Sequence, residues 1–130
     1  MILVDTHVVL WLAFEPEKIS DHAKREMDAA RESGGGLAIS GITLLELAGL
    51  ASKGRFDTFG NIDDFLGSVE AKFAVLPITA RACGRTVSLP RGYPRDPADR
   101  IIGGTALVEG MQLVTADAAI RKSKAVPTIW

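Results

Sequence analysis

Four acidic residues stand where hydrophobic segments of this sequence give way to the next element, and their type and placement suit metal-ion chemistry. They are Asp5, Glu46, Asp99 and Asp117. Carboxylates placed in this way can converge at one edge of an α/β sheet, where their oxygens suit a hard divalent cation such as Mg²⁺ or Mn²⁺. The pattern therefore predicts metal-dependent cleavage of a phosphodiester.

Three of these acids also have an ordinary structural explanation, because aspartate is a good helix cap. Asp5 and Asp117 each stand between a predicted strand and a predicted helix, where a side-chain oxygen accepts from helix amides. Asp96 precedes Pro97 as an N-cap precedes a proline at the first helical position, and this puts Asp99 in the first turn. Taken singly, each aspartate fits a structural role better than a metal site.

Glu46 does not fit that explanation, because it lies in the middle of a predicted helix. Its neighbours one turn away are Ile42, Thr43, Gly49 and Leu50. A glutamate on a largely apolar face is costly to bury unless it is paired or metal-bound, although at an edge its carboxylate would reach water. Crowded carboxylates raise one another's pKa, and a divalent cation relieves that repulsion. The four acids together therefore favour a metal site more strongly than any one alone.

Apolar runs that alternate with helical periodicity define the predicted elements. Strands are predicted over residues 1–5, 37–40, 73–78, 111–115 and 126–130, and helices over 7–14, 20–33, 42–52, from 61, 79–89, 97–110 and 117–123. This alternation predicts a three-layer α/β/α fold, in which helices cover both faces of a mostly parallel sheet of four to five strands. In such sheets the functional site lies beyond the carboxyl ends of the strands.

Length and composition are those of an ordinary globular protein. The 130 residues suit one domain, 1–130, and the chain is 47% hydrophobic and 24% charged. No apolar run approaches the roughly 20 residues of a bilayer span, and no signal peptide is visible, so we expect a cytoplasmic protein with no membrane partner. Cys83 is the only cysteine, which excludes an intrachain disulfide, and its small flanking residues predict a buried position.

The charge is unevenly distributed along the chain. Residues 1–80 hold 7 Lys/Arg and 12 Asp/Glu, a net charge of −5, whereas residues 81–130 hold 8 and 4, a net charge of +4. A basic half beside an acidic centre can attract a phosphate backbone, and Arg91, Arg95 and Arg100 are the candidate contacts. A solvated surface of uneven charge explains the same pattern equally well.

A few other side chains have weaker claims to a role. Thr6 and Thr115 flank two of the acids, and their hydroxyls can orient a carboxylate or make a local turn bond. His7 is expected at the surface or in packing rather than on a substrate, and Trp11 and Trp130 in the core or a dimer contact. The histidines and the cysteine lack ligand-like spacing, which argues against zinc. No nucleotide-binding glycine motif occurs.

Four ordered segments resemble the PIN-domain family, and most closely the VapC-type ribonuclease toxins of type II toxin–antitoxin pairs. The segments are residues 3–12, 40–47, 95–106 and 113–117. By this resemblance the family's catalytic, metal-binding acids match Asp5, Glu46, Asp99 and Asp117. Asp96 matches the leading acid of an Asp-Pro-x-Asp-Arg variant, and we treat it as a cap or as a residue beyond the direct ligands. Gly103 and Gly104 stand where alanines are usual in the family, and this departure bears on local packing.

The resemblance implies a PIN-like fold, Mg²⁺ or Mn²⁺ as cofactor and endoribonuclease activity. It also implies a homodimer and a cognate antitoxin that inhibits the enzyme. The leading hypothesis is therefore a metal-dependent ribonuclease toxin that inhibits translation or growth, with Arg91, Arg95 and Arg100 on the RNA backbone.

Two other functions compete with that hypothesis. The first is a non-catalytic PIN-like module that binds RNA or protein. The second is phosphoryl transfer through an aspartyl-phosphate on Asp5. The usual pattern for the second wants another aspartate two residues on, where this sequence has His7, or an adjacent acidic pair near the first strand, which is also missing.

Overall fold

The computed structural model describes all residues, 1–130, and a five-stranded parallel sheet lies at its centre. The strands are β1 (Ile2–Val4), β2 (Leu37–Ser40), β3 (Ala74–Leu76), β4 (Leu113–Val114) and β5 (Thr128–Ile129). Their spatial order is β3-β2-β1-β4-β5, and every neighbouring pair runs parallel. The predicted strands are confirmed, although all except β2 are shorter than the apolar runs that indicated them.

Seven α-helices connect and cover the strands. They are α1 (Thr6–Phe14), α2 (Asp21–Glu32), α3 (Gly41–Ser52), α4 (Ile62–Lys72), α5 (Ala80–Arg85), α6 (Pro97–Glu109) and α7 (Ala118–Ser123). Short 3₁₀ turns add Pro16–Lys18 and Thr86–Ser88. The predicted caps are in place, since Ser20 Oγ accepts from Ala23 N at 3.0 Å and Asn61 Oδ1 accepts from Asp64 N at 2.7 Å. None of these helices is both long and apolar enough to cross a membrane.

Alternate residues of the strands face two separate hydrophobic cores, which makes the fold three-layered. Val4 and Val114 point to the side that α1 and α2 cover, together with Val8 and Met27. Leu3 and Leu113 point to the opposite side, where they pack with residues of α6 and α7. This period of two is what a parallel sheet buried on both faces requires, and it confirms the predicted fold class.

The sheet has a topological switch point between β1 and β4. The chain winds from β1 outward to β2 and β3, and later returns to place β4 and β5 on the other side of β1. The connections that follow β1 and β4 therefore diverge, and they open a crevice at the carboxyl edge of the sheet. Asp5 begins one connection and Thr115 begins the other.

The close packing of α5 on α6 explains one glycine and corrects one prediction. A Cβ at Gly104 would overlap the carbonyl oxygen of Ala82, so only glycine lets the two helices approach this closely. Ala82 is buried at this contact, whereas Cys83, one position further along the six-residue helix, is exposed. The prediction that Cys83 is buried is wrong, because a helix this short turns only one of its sides to the core.

An acidic cleft at the carboxyl edge of the sheet

The crevice at the switch point is an acidic cleft of about 270 Å³. The residues that line it are Asp5, His7, Trp11, Glu46, Asp96, Asp99, Ala116 and Asp117. All four acids that the sequence singled out lie here, and Asp96 joins them. They come from four separate regions of the chain, so only the fold brings them together.

Asp5 is the most enclosed of these carboxylates, and hydrogen bonds hold both of its oxygens. It is 6% exposed, its Oδ1 accepts from Thr6 N at 2.8 Å, and its Oδ2 accepts from Thr115 Oγ1 at 2.7 Å. Burial raises the pKa of Asp5, and the two hydrogen bonds oppose that rise. Thr115 therefore holds the Asp5 carboxylate in one orientation.

Glu46 extends from α3 into the cleft, and a chain of hydrogen bonds from Thr43 through Thr6, here called the relay, holds its carboxylate. Thr6 Oγ1 donates to Glu46 Oε1 at 2.6 Å, and the same oxygen of Thr6 lies 3.0 Å from Thr43 Oγ1. Because Thr6 has one hydroxyl proton and Glu46 takes it, Thr43 donates to Thr6. Burial raises the pKa of Glu46, and the charges of Asp96 and Asp5 raise it further. The half-buried glutamate is thus paired, as its apolar helix requires.

Asp96 and Asp99 enter the cleft from the first turn of α6. Asp96 is exposed, and its Oδ1 caps the helix by accepting from Ala98 N at 3.0 Å. Burial, the largest cause, and the charges of Asp5, Asp96, Glu46 and Asp117 together raise the pKa of Asp99 to about 7. Asp99 therefore exchanges its proton in the neutral range.

Asp117 closes the cleft on the β4 side and caps α7. Its Oδ1 accepts from Ile120 N at 2.9 Å, and its own N–H donates to Thr115 Oγ1 at 3.1 Å. Thr115 thus links the two acids on either side of the switch point, because its hydroxyl donates to Asp5 and accepts from Asp117.

No lysine or arginine lines the cleft, and the imidazole of His7 is the one basic group there. The two ion pairs of the protein, Lys18 with Glu15 and Arg31 with Asp28, lie elsewhere on the surface. Clustered carboxylate oxygens that no lysine or arginine neutralises are a donor set that fits a hard divalent cation. As the side chains stand, no group of three or more is arranged to hold one ion directly. Mg²⁺ keeps several waters when it binds to carboxylates, so such a site needs few direct ligands.

The candidate arginines divide between two positions. Arg95 and Arg100 line a neighbouring cleft of about 320 Å³ on the other side of the α6 N-terminus, together with Cys83 and Thr86. Arg100 also has a structural contact there, since its Nη1 donates to the Thr86 carbonyl at 3.2 Å. Arg91 is exposed and lines neither cleft.

Sequence reasoning missed or undervalued several residues around the cleft. Thr43 is only a neighbour of Glu46 in the sequence, yet it is fully buried and donates into the relay. His7 is exposed and lines the cleft, and its ring lies 6.4 Å from that of Trp11. Trp11 in turn packs on Trp130 at 5.8 Å, which supports a core role for both tryptophans. The one signal for Thr43 is its position one helical turn before Glu46.

The fold and the cleft define the chain as a PIN domain. Residues 2–125 match the family model of the PIN domain, so the chain belongs to that family, and the resemblance seen in the sequence is confirmed. It is also similar to ribonuclease VapC22 of Mycobacterium tuberculosis, with 33% identity over 131 residues, which cover 99% of this chain and 98% of that protein.

Solved structures show the same fold at lower identity. VapBC2 from Rickettsia felis, bound to a DNA fragment from its promoter, matches with a TM-score of 0.75 and 18% identity, over 98% of this chain and 97% of that one. A toxin–antitoxin complex from Klebsiella pneumoniae matches with a TM-score of 0.61 and 23% identity, over 90% and 87%. Both matches extend over nearly the whole sheet-and-helix framework.

Proposed function

We propose that this protein is a metal-dependent endoribonuclease and the toxin of a type II toxin–antitoxin pair. The observation that carries the proposal is a cleft lined by five carboxylates and by no lysine or arginine, in a PIN domain that is 33% identical to a ribonuclease. Asp5, Glu46, Asp99 and Asp117 would hold Mg²⁺ or Mn²⁺, and Asp96 would stay outside the direct ligands. When bound, the ion would act as a Lewis acid, which lowers the pKa of a bound water and offsets the negative charge that develops on the phosphate during cleavage.

The chain's own residues prepare the cleft for that ion. Thr115 fixes the Asp5 carboxylate and Thr6 fixes that of Glu46, so neither acid has to be oriented at the moment of binding. The raised pKa of Asp99 means that protons compete with the ion at that carboxylate near neutral pH. We therefore expect metal affinity to fall as the pH drops below about 7.

Arg95 and Arg100 supply positive charge beside the cleft. Their own cleft shares the first turn of α6 with the acids, so a phosphate chain that crosses the carboxylates would also meet these guanidinium groups. Arg91, in the exposed loop before them, would add a longer-range attraction. The expected substrate is single-stranded or loop RNA, whose backbone can enter an open cleft.

An apolar groove next to the acidic cleft is the expected site of the antitoxin. The groove has a volume of about 300 Å³ and is lined by residues that include Phe14, Leu50 and Phe56. His7 and Trp11 line both the groove and the acidic cleft, so one bound segment can fill the groove and reach the carboxylates. A toxin–antitoxin complex among the structural neighbours supports a protein partner of this kind.

We also expect the free protein to form a homodimer, which light scattering would measure.

The proposal is tested with purified protein and varied single-stranded RNAs in the presence of Mn²⁺ or a chelator. We expect cleavage that needs the metal and that is lost in Asp5→Asn and Asp99→Asn. Asp63→Asn is a matched control, because Asp63 is also a first-turn acid but lies exposed on α4. Cleavage that survives in both cleft variants would overturn the assignment. RNA binding without cleavage under any divalent ion would point to a non-catalytic module.

A further inference from the structure

Tyr93 is the only tyrosine of the chain, and its buried side chain lies against α6, the helix that carries Asp99. It is 1% exposed and lies in the loop that precedes α6. Its N–H donates to the Pro90 carbonyl at 3.0 Å, which closes the turn that carries it. A tyrosine buried to this degree has to find a partner for its hydroxyl.

That partner is the backbone of Asp99. Tyr93 Oη donates to the Asp99 carbonyl oxygen at 3.1 Å. The bond fixes the main chain of the residue whose carboxylate lines the cleft, so it also fixes where that side chain leaves the helix. Burial holds the pKa of Tyr93 well above its usual range, and the charge of Asp99 adds to the rise, so the hydroxyl remains a donor at every physiological pH.

Gly103 provides the space that Tyr93 occupies. A Cβ on residue 103 would overlap the Tyr93 hydroxyl and lie 2.8 Å from its Cζ. Residues 99 and 103 are four apart on α6 and therefore share one face of the helix, so the ring lies across both. Glycine is a poor helix former, and it is needed at this position because any side chain would collide with the Tyr93 ring.

We propose that Tyr93 is a positioning residue for Asp99, and that Gly103 is the notch that admits it. The phenol, inserted over the first turn of α6, sets the position of the Asp99 carboxylate in the acidic cleft. A phenylalanine would fill the same volume and leave the carbonyl of Asp99 without its second donor. The role assigned to Asp99 in cleavage rests on the proposed function, whereas the anchoring of its backbone does not.

The first test is Gly103→Ala, because two arguments predict opposite changes in stability for this variant. Helix propensity alone predicts that alanine stabilises α6. The notch predicts destabilisation, because the ring has to move away, and a loss of cleavage of more than about tenfold. Gly67→Ala is the matched control: Gly67 is also helical, on α4, and a Cβ there meets nothing within 4 Å. A Gly103→Ala protein as stable and as active as the Gly67→Ala protein would overturn the proposal.

The second test is Tyr93→Phe, which keeps the packing and removes the donor. We expect kcat to fall about fivefold, the factor that one neutral hydrogen bond represents, while KM for RNA changes less than about twofold. A role confined to packing would leave kcat unchanged in this variant. Equal kcat in the Tyr93→Phe and unmodified proteins would therefore contradict the positioning role.

A metal-free measurement separates this proposal from the proposed function. Amide hydrogen exchange, followed by NMR in the presence of a chelator, reports on the first turns of α6 without any need for cleavage. We expect Tyr93→Phe to speed exchange at the Gly103 amide, which bonds to the same carbonyl in the helix. Faster exchange in a protein that cleaves no RNA would keep the anchoring and reject the nuclease. Unchanged exchange in an active nuclease would reject the anchoring alone.

Discussion

Removing the negative charge of Asp99 should stabilise the metal-free protein at alkaline pH. The folded protein holds this carboxyl at a pKa of about 7, against an ordinary value of 3.8, which stands for the unfolded chain. Between those two values the folded state binds one more proton than the unfolded state, so the free energy of unfolding falls as the pH rises. The asparagine of the Asp99→Asn variant resembles the neutral acid at every pH and escapes this loss.

The size of the effect follows from the difference in pKa. Each unit corresponds to about 1.36 kcal/mol, which gives an upper limit of roughly 4 kcal/mol. Asp99 is only partly buried, so solvent screens part of the repulsion, and we expect Asp99→Asn to gain about 1–2 kcal/mol at pH 8. At pH 5 the folded carboxyl is protonated but the unfolded one is still mostly ionised, so the gain should be roughly two fifths of that at pH 8, and it should approach zero only below the ordinary value of 3.8.

The assay is urea denaturation with a chelator at pH 5 and pH 8. Asp63→Asn serves as the control, since it removes a charge from the exposed first turn of α4. Adding Mg²⁺ at pH 8 should stabilise the unmodified protein and narrow its difference from the variant. An equal gain in unfolding free energy at both pH values, or no gain at pH 8, would refute the inference that burial and the neighbouring carboxylates raise the pKa of Asp99.

Three further substitutions test the hydrogen bonds of the cleft. Thr6→Val takes the donor from Glu46 and should cost about 1–3 kcal/mol of unfolding free energy, read from urea titrations. Thr115→Val removes the bond to Asp5 Oδ2 and should cost a similar amount, roughly 1–3 kcal/mol, while the pKa of Asp5, followed by carboxyl NMR, rises further. Asp117→Asn keeps an oxygen that can cap α7, so stability should change by less than about 0.5 kcal/mol, whereas RNA cleavage falls at least roughly 100-fold.

Two of these predictions have a matched comparison. Thr128→Val removes a hydroxyl that makes no side-chain hydrogen bond, and a cost as large as that of Thr6→Val would show that the relay is unimportant. Asp117→Ala should lose the cap at a cost of about 1 kcal/mol, in contrast to Asp117→Asn. If the asparagine variant cleaves RNA as well as the unmodified protein, Asp117 serves only as a cap.

The framework of the fold could be predicted from sequence because its signals are local. Apolar runs indicated the strands, and Ser20 and Asn61 marked helix starts that the structure confirms. Strand lengths were less accurate: the run 73–78 is largely apolar, yet only Ala74–Leu76 pairs with β2. Hydrophobicity reports burial, whereas strand assignment requires a paired neighbour.

The relations around the cleft were beyond the reach of the sequence. That Thr6 donates to Glu46 rather than to the adjacent Asp5 depends on how α1 meets α3, 40 residues away. Tyr93 has no signal of its own in the sequence, because a single tyrosine in a loop belongs to no periodic pattern. The one indirect sign of Tyr93 in the sequence is Gly103, which stands where the family usually has alanine. The structure explains this glycine, because the Tyr93 ring occupies the space that a Cβ would fill.

Capping and metal binding, which compete as explanations in the sequence, are compatible in the structure. Asp96 and Asp117 each give one oxygen to a helix N-terminus, and the other oxygen has no protein partner. An aspartate that caps a helix keeps its negative charge in the cleft. The capping hydrogen bond also holds the carboxylate in one rotamer at the carboxyl edge of the sheet. Helix N-termini in a doubly wound fold point to that edge, so residues chosen as caps already face the switch point. The structural role therefore orients these acids in the way that the proposed function requires.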